Sequence, residues 1–188
     1  MTRIIIIIAV ALLVGVYISW RAGRLDRLHA RLDTARAALD AALLRRSSVA
    51  LELASSGLLD PATSLLVAGA AHDARTAPPG DQELAESDLT RALRAAFGQP
   101  DFRASLAGRP GAAELLAETE TAAHQVFLAR RFYNSAVTTT RTARRRWLVR
   151  LFRLAGSASP PQFFEIDDSL VARGSDEAAP PGGSRLAG

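Results

Sequence analysis

Residues 25–56 read LDRLHARLDTARAALDAALLRRSSVALELASS, the strongest helical pattern in the chain. Its apolar side chains recur every three or four residues, which is the spacing of one face of an α-helix. The recurring positions form a heptad seam of the coiled-coil type: Leu25, Leu28, Leu32, Ala35, Leu39, Ala42, Arg46, Val49 and Leu53. Neither Gly nor Pro interrupts the stretch. The sequence therefore predicts one continuous helix, with Gly57 as its C-cap.

Three further helices are predicted downstream, each bounded by a capping residue or by Pro and Gly. Asp60-Pro61 combines an N-cap with Pro at the first helical position, and Ala77-Pro78-Pro79-Gly80 ends that helix near Thr76. The third helix begins after Asp81 or Ser87, and the fourth begins near Ala112. The connecting segments are a stop at Gly98-Gln99-Pro100, a loop from Asp101 to Gly111, and a linker at Ser157-Ala158-Ser159-Pro160-Pro161.

The N-terminal segment Ile4–Trp20 reads IIIIIAVALLVGVYISW and contains no charge. Its length lies at the lower edge of the range that spans a bilayer as a helix, and Tyr17 and Trp20 lie where an aromatic belt is expected. A cleaved signal peptide is the main alternative, but no small-x-small cleavage site follows the segment. A buried core helix is disfavoured by five consecutive Ile. We therefore predict an uncleaved membrane anchor.

The distribution of Arg around this segment predicts its orientation. Arg3 precedes it, whereas Arg21, Arg24, Arg27 and Arg31 follow it. The positive-inside rule then places the N-terminus outside and the following domain in the cytoplasm. The expected location is the cell membrane, with a single pass.

Composition sets further bounds. The chain has 188 residues, 48% hydrophobic residues and a net charge of +4, and all its basic residues except three His are Arg. It contains no Cys, which excludes disulfides, Cys-based zinc sites, thiol nucleophiles and lipidation on Cys. The apolar residues are mostly Ala and Leu, which favour helices.

Together these patterns predict an all-α fold in which an N-terminal transmembrane helix continues into an up-and-down four-helix bundle. The predicted division is an anchor over residues 1–23, a helical bundle over residues 24–170, and a tail over residues 171–188. The tail is rich in Gly, Pro, Ala and Ser, and is expected to be disordered.

A basic amphipathic segment covers residues 144–154. Its apolar and arginine side chains fall on opposite sides of a helix, as in helices that lie on anionic lipid. The alternative is a helix end that packs on the bundle with its Arg side chains solvated. Nucleic-acid binding is not expected, because no recognised fold accompanies the cluster. The candidate membrane-interface residues are Arg144, Arg145, Arg146, Trp147, Arg150 and Arg153.

Three polar residues fall on predicted helix seams: Arg46, Tyr133 and Asn134. A buried Arg requires a partner, and the candidates on the fourth helix are Glu114, Glu118 and Glu120. Alternatively, the seam opens there and the Arg46 side chain reaches solvent. A polar layer that fixes helix register is favoured over a ligand pocket. Of the three His, only His124 has a second possible ligand at helical spacing, Glu120 four residues earlier, and a surface or rim position is favoured for all three, so no metal or cofactor is expected.

Four motifs occur in an order that resembles the LemA family of bacterial membrane proteins. They are Leu44-Arg45-Arg46 behind the membrane helix, QPDFRAS at residues 99–105, ARRFYNSAV at residues 129–137, and FFEIDD at residues 163–168. The resemblance implies a helical bundle behind one membrane anchor, and no catalytic residues. The chain has Ala122-Ala123-His124 where the family often has Thr-Glu-Asn, which suggests a divergent member.

These observations predict a membrane-anchored interaction or scaffold protein rather than an enzyme. The expected partners are the lipid bilayer, a further protein and further copies of the chain as a homo-oligomer. One alternative is a small-ligand-binding or enzymatic helical domain that uses a polar layer around Arg46, Tyr133 and Asn134. Another is an oligomeric membrane-assembly protein in which exposed heptad faces join several copies.

Overall fold

Five α-helices make up most of the computed structural model, which describes residues 1–100, 102–145 and 161–167. In chain order they are α1 (Thr2–Ser55), α2 (Pro61–Thr76), α3 (Gln82–Phe97), α4 (Phe102–Ser105) and α5 (Ala112–Arg145). The described residues contain no β-strand. The prediction of an all-α chain is confirmed over this part of the protein.

The helix ends agree with the predicted caps. The Asp60 carboxylate accepts hydrogen bonds from the backbone N–H groups of Ala62 and Thr63, both at 3.1 Å, which is the N-cap geometry. Hydrogen bonds from the Thr63 hydroxyl and the Thr63 N–H hold the pKa of Asp60 below its usual value. Gly57, beyond the end of α1, has a φ of 73°, a conformation that disfavours other residues.

The predicted loop between the third and fourth helices contains the short helix α4. Phe102 at its start is buried, and its ring stacks on Phe97 with the centroids 5.7 Å apart. This aromatic contact ties α4 to the end of α3. A loop of Pro and Gly residues gives no periodicity from which so short a helix is predicted.

Contacts divide the chain into two units. The first unit is Met1–Ala38 with Arg131–Phe163, and the second is Leu39–Arg130 with Phe164–Gly188. The helices α1 and α5 each contribute to both. The division into anchor, bundle and tail remains a prediction, and the proposed tail lies outside the described residues.

The second unit has a helical-bundle core of Leu, Val and Ala side chains from α1, α2 and α3. The last part of the predicted seam is buried here, at Leu39, Arg46, Val49 and Leu53. Small residues on α2 and α3 allow close helix packing. The other main members of the core are Ala50, Val67, Ala71, Leu89, Ala92, Leu93 and Ala96.

The first unit begins with the apolar start of α1, whose large side chains are exposed. Exposed fractions range from 41% at Tyr17 to 71% at Leu13. The others in this set are Ile4, Ile5, Ile6, Ile7, Ile8, Leu12, Val16 and Trp20. Over the part of the chain that is described, none of the helices reaches the length and hydrophobicity that a membrane crossing requires. The segment Ile4–Trp20 also includes Val10, Ala11, Val14 and Ile18, whose side chains lie outside the described set.

Candidate functional site

The main polar site of the second unit is a charged cluster between α1 and α3. The guanidinium of Arg46 on α1 forms an ion pair with the Glu86 carboxylate on α3. It also donates to the Thr90 hydroxyl at 3.0 Å and to the Glu86 carbonyl at 2.9 Å. The exposed fractions of Arg46 and Glu86 are only 3% and 1%. The cluster therefore joins two helices inside the core.

Burial and charge oppose each other at Glu86. Burial raises the pKa of Glu86 above its ordinary value, and the nearby charge and hydrogen bonds of Arg46 act in the opposite direction. A buried ion pair gains attraction in the low dielectric but loses the hydration of both ions. The cluster is therefore expected to specify which faces of α1 and α3 meet, more than to add net stability.

The predicted partners of Arg46 were wrong. Glu118 on α5 pairs instead with the neighbouring Arg45, at 2.9 Å, and Glu120 pairs with Arg103. Arg46 turns toward α3 because Glu86 lies on the buried face of that helix, three residues before Leu89 and seven before Leu93. This spacing is visible in the sequence, so a carboxylate at a seam position was the available signal.

The other two candidates on the seam belong to the first unit. Tyr133 is buried, and its hydroxyl donates to the Gln162 carbonyl at 2.9 Å. The Arg36 guanidinium lies over the Tyr133 ring, 5.6 Å from the centroid, within the range of a cation–π contact. Asn134 is half-buried. The polar atoms of Arg46 and Tyr133 thus serve largely as contacts within the chain.

The last four described residues, 164–167, belong to the second unit, whereas the sequence identified them only as part of a motif. We call residues 161–167 the Phe-Glu segment, and its last part lies along α3. The Glu165 N–H donates to the Glu83 carboxylate at 2.9 Å, and the Asp167 N–H donates to the Ser87 hydroxyl at 3.2 Å. Side chains of α3 thus satisfy two backbone donors of this irregular segment.

The two acceptors on α3, Glu83 and Ser87, lie one helical turn apart. The two donors, Glu165 and Asp167, are two residues apart in the Phe-Glu segment. The Ser87 hydroxyl also donates to the Glu83 carbonyl at 2.7 Å, so it is fixed as an acceptor for the segment.

Apolar burial dominates the energetics of this contact. Phe164 is only 4% exposed, and burying a Phe side chain contributes about 1.5–3 kcal/mol. The Arg130–Glu165 and Arg94–Asp167 pairs are longer, at 3.7 and 3.6 Å, and partly exposed pairs contribute about 0–1 kcal/mol each. Phe164 is therefore the anchor of the Phe-Glu segment.

The predicted membrane-interface residues fall outside the described part. The side chains of Arg144 and Arg145, at the end of α5, are not described, and Arg146, Trp147, Arg150 and Arg153 lie in the undescribed segment that follows. Within the described residues no cluster of three or more His, Asp or Glu side chains forms a metal site.

No protein-family model matches the sequence, and no curated protein matches it.

Proposed function

We propose that this chain is a single-pass membrane protein whose helical domain acts by interaction, as an anchored scaffold, rather than by catalysis. The observation that carries the proposal is the exposure of ten large apolar side chains on the first five turns of α1. Contiguous exposed apolar surface of this kind marks contact with a membrane or with another protein. The uncharged sequence of Ile4–Trp20 favours the membrane.

Membership of the LemA family is part of the same proposal. It is supported by the order of the motifs in the sequence, and by a hydrogen bond between one motif and the residue directly before another. Tyr133 of the ARRFYNSAV stretch donates to Gln162, directly before the FFEIDD motif. The proposed topology, with the N-terminus outside and the domain in the cytoplasm, rests on the excess of Arg after the anchor.

The engagement of the polar candidates supports interaction over catalysis. The terminal nitrogens of Arg46 are occupied by Glu86 and Thr90, and the Tyr133 hydroxyl is occupied by Gln162. A catalytic or ligand-binding polar layer requires groups that converge on an open pocket. A second membrane contact through residues 144–154 is proposed on the sequence pattern alone.

Alkaline extraction of cell membranes tests the anchor. The full-length chain should remain in the membrane pellet at high pH with its N-terminal residues intact. A Leu12→Arg/Leu13→Arg variant should shift to the supernatant, because each Arg near the centre of the span disfavours insertion by about 2.5–3.5 kcal/mol. A Leu65→Arg/Leu66→Arg variant on exposed positions of α2 is the matched control and should remain in the pellet. Release of the intact wild-type chain would contradict the proposal.

A further inference from the structure

A groove in the first unit is the feature that the proposed function does not use. It lies between residues 27–38 of α1 and residues 132–140 of α5, with Trp20 also at its edge, and has a volume of about 1190 Å³. Its wall is mainly apolar and is formed by Leu28, Ala35, Ala38, Phe132 and Ala136. Phe132 is 70% exposed. The groove is therefore an open apolar surface of a size that holds a long-chain ligand.

Two cations line the same groove. Arg27 and Arg31 lie one helical turn apart on α1. Both are exposed, and among the described residues neither has an acidic partner within ion-pair distance. An apolar surface beside two guanidinium groups that have no acidic partner among the described residues complements a molecule with an apolar body and an anionic end.

We propose that this groove binds one long-chain anionic amphiphile of the fatty-acid class. Arg27 and Arg31 hold the carboxylate, and the acyl chain lies on the wall formed by Ala35, Phe132 and Ala136. An extended peptide fits less well, because its backbone requires hydrogen-bond partners that this wall does not offer. Arrival of the amphiphile from the bilayer rests on the proposed anchor, whereas binding in the groove requires only the residues named.

Photo-crosslinking of the full-length chain tests the proposal. The protein is reconstituted in nanodiscs of neutral phosphatidylcholine and exposed to hexadecanoic acid that carries a diazirine on its chain. Adducts mapped by peptide mass spectrometry should fall on residues 28–38 and 132–140. The uncharged hexadecanol analogue should give several-fold fewer adducts there, because it lacks the carboxylate. Equal labelling by acid and alcohol would overturn the proposal.

Variants separate the groove from other apolar surfaces. Ala35→Trp should fill the groove and abolish these adducts, whereas Ala37→Trp, on an exposed position two residues away, should leave them unchanged. Arg31→Gln should reduce labelling at limiting probe by about two- to fivefold, and Arg75→Gln on α2 should have no effect. Adducts that persist in Ala35→Trp would overturn the proposal. It would also be overturned if the wild type formed a dimer without any probe adduct and Ala35→Trp dissociated that dimer.

The same experiment distinguishes failure of the anchor from failure of the groove. If the chain does not enter the bilayer, it will not co-elute with nanodiscs, and the groove is then tested with the same probe in buffer. Adducts on residues 4–20 report contact of α1 with bilayer-dissolved probe and are independent of Ala35→Trp. Adducts on residues 4–20 alone, with none in the groove, would leave the anchor supported and overturn the amphiphile site.

Discussion

Arg46 shows what the periodicity of a helical sequence can and cannot predict about a single residue. Its position on the α1 seam follows from the spacing of its neighbours, and the structure places its side chain among buried residues. Its partner did not follow, because periodicity defines the buried face of each helix but not which helix lies against that face. Glu86 on the α3 face is the residue that resolves the pairing.

Removing one member of the Arg46–Glu86 pair should destabilise the chain strongly. Arg46→Ala leaves Glu86 buried without its cation, and such variants typically lose about 3–5 kcal/mol. The control is Arg45→Ala, which removes the exposed pair with Glu118 and should change the free energy of unfolding by less than about 1 kcal/mol. Urea unfolding followed by far-UV circular dichroism measures both. Similar losses in the two variants would show that the buried pair has no special role.

The pH dependence of stability tests the electrostatics of the same pair. Burial raises the pKa of Glu86, so above the ordinary Glu pKa of about 4.3 the folded chain binds more protons than the unfolded chain. This contribution to stability is present below that pH and is lost as the pH rises through the native pKa. Arg46→Met removes the charge that opposes the shift, so its decline in stability should extend to higher pH than in the wild type.

The comparison for this prediction is Arg46→Met/Glu86→Gln, in which the site no longer titrates. Its stability between about pH 4 and pH 8 should lack the additional decline. Denaturation midpoints of the three proteins across this range are the measurement. If Arg46→Met and the double variant have parallel pH profiles, Glu86 is not the titrating group.

At the scale of elements, the helix boundaries were largely predictable and the Phe-Glu segment was not. Asp60-Pro61 and the Pro-Gly stretch after Thr76 are local signals, because a cap or a missing N–H acts within a few residues. The docking of residues 161–167 depends instead on Glu83 and Ser87, some 80 residues earlier in the chain. No periodicity within these seven residues indicates which helix will supply those acceptors.

Two adjacent Phe residues allow the docking of this segment to be tested. Phe164 is buried, whereas Phe163 is 39% exposed. Phe164→Ala should destabilise the chain by about 3–5 kcal/mol, and Phe163→Ala by much less, even though its ring lies 4.5 Å from the Arg141 guanidinium carbon. Hydrogen exchange should show faster exchange of the Glu165 and Asp167 amides in Phe164→Ala only. Unchanged protection of these amides would contradict the docked position.

The continuity of α1 has a test at residue 37, which is an exposed position within the helix. Ala37→Pro removes a backbone donor and introduces a steric clash, with an expected loss of about 3 kcal/mol or more. Ala37→Gly should lose only about 1 kcal/mol, since it affects helix propensity alone. Melting temperatures followed by circular dichroism should rank the wild type above Gly and Gly above Pro. Equal melting temperatures for all three would indicate a break in the helix near this position.

At the scale of the whole molecule, the all-α character was predictable because composition and spacing act along the entire chain. The division of the chain into two units was not predictable from the sequence. The unit boundaries fall within α1 and α5, at Ala38 and Arg131, where neither Gly nor Pro marks a break. The boundaries depend on which elements contact each part of α1 and α5. Those contacts are determined by the long-range arrangement of the chain rather than by the local sequence.

The orientation of the proposed membrane anchor can be tested with single engineered cysteines. Because the sequence contains no Cys, single engineered cysteines report accessibility without background. Thr2→Cys precedes the proposed anchor, and His72→Cys lies on an exposed position of α2. The excess of Arg after the anchor predicts that Thr2→Cys reacts with a membrane-impermeant maleimide in intact cells, whereas His72→Cys reacts only after lysis. Labelling of His72→Cys in intact cells would reverse the topology. The charge bias can itself be reversed by changing Arg21, Arg24 and Arg27 to Gln and inserting three Arg after Arg3. The labelling pattern of Thr2→Cys and His72→Cys should then reverse, because the charge bias favours the opposite side.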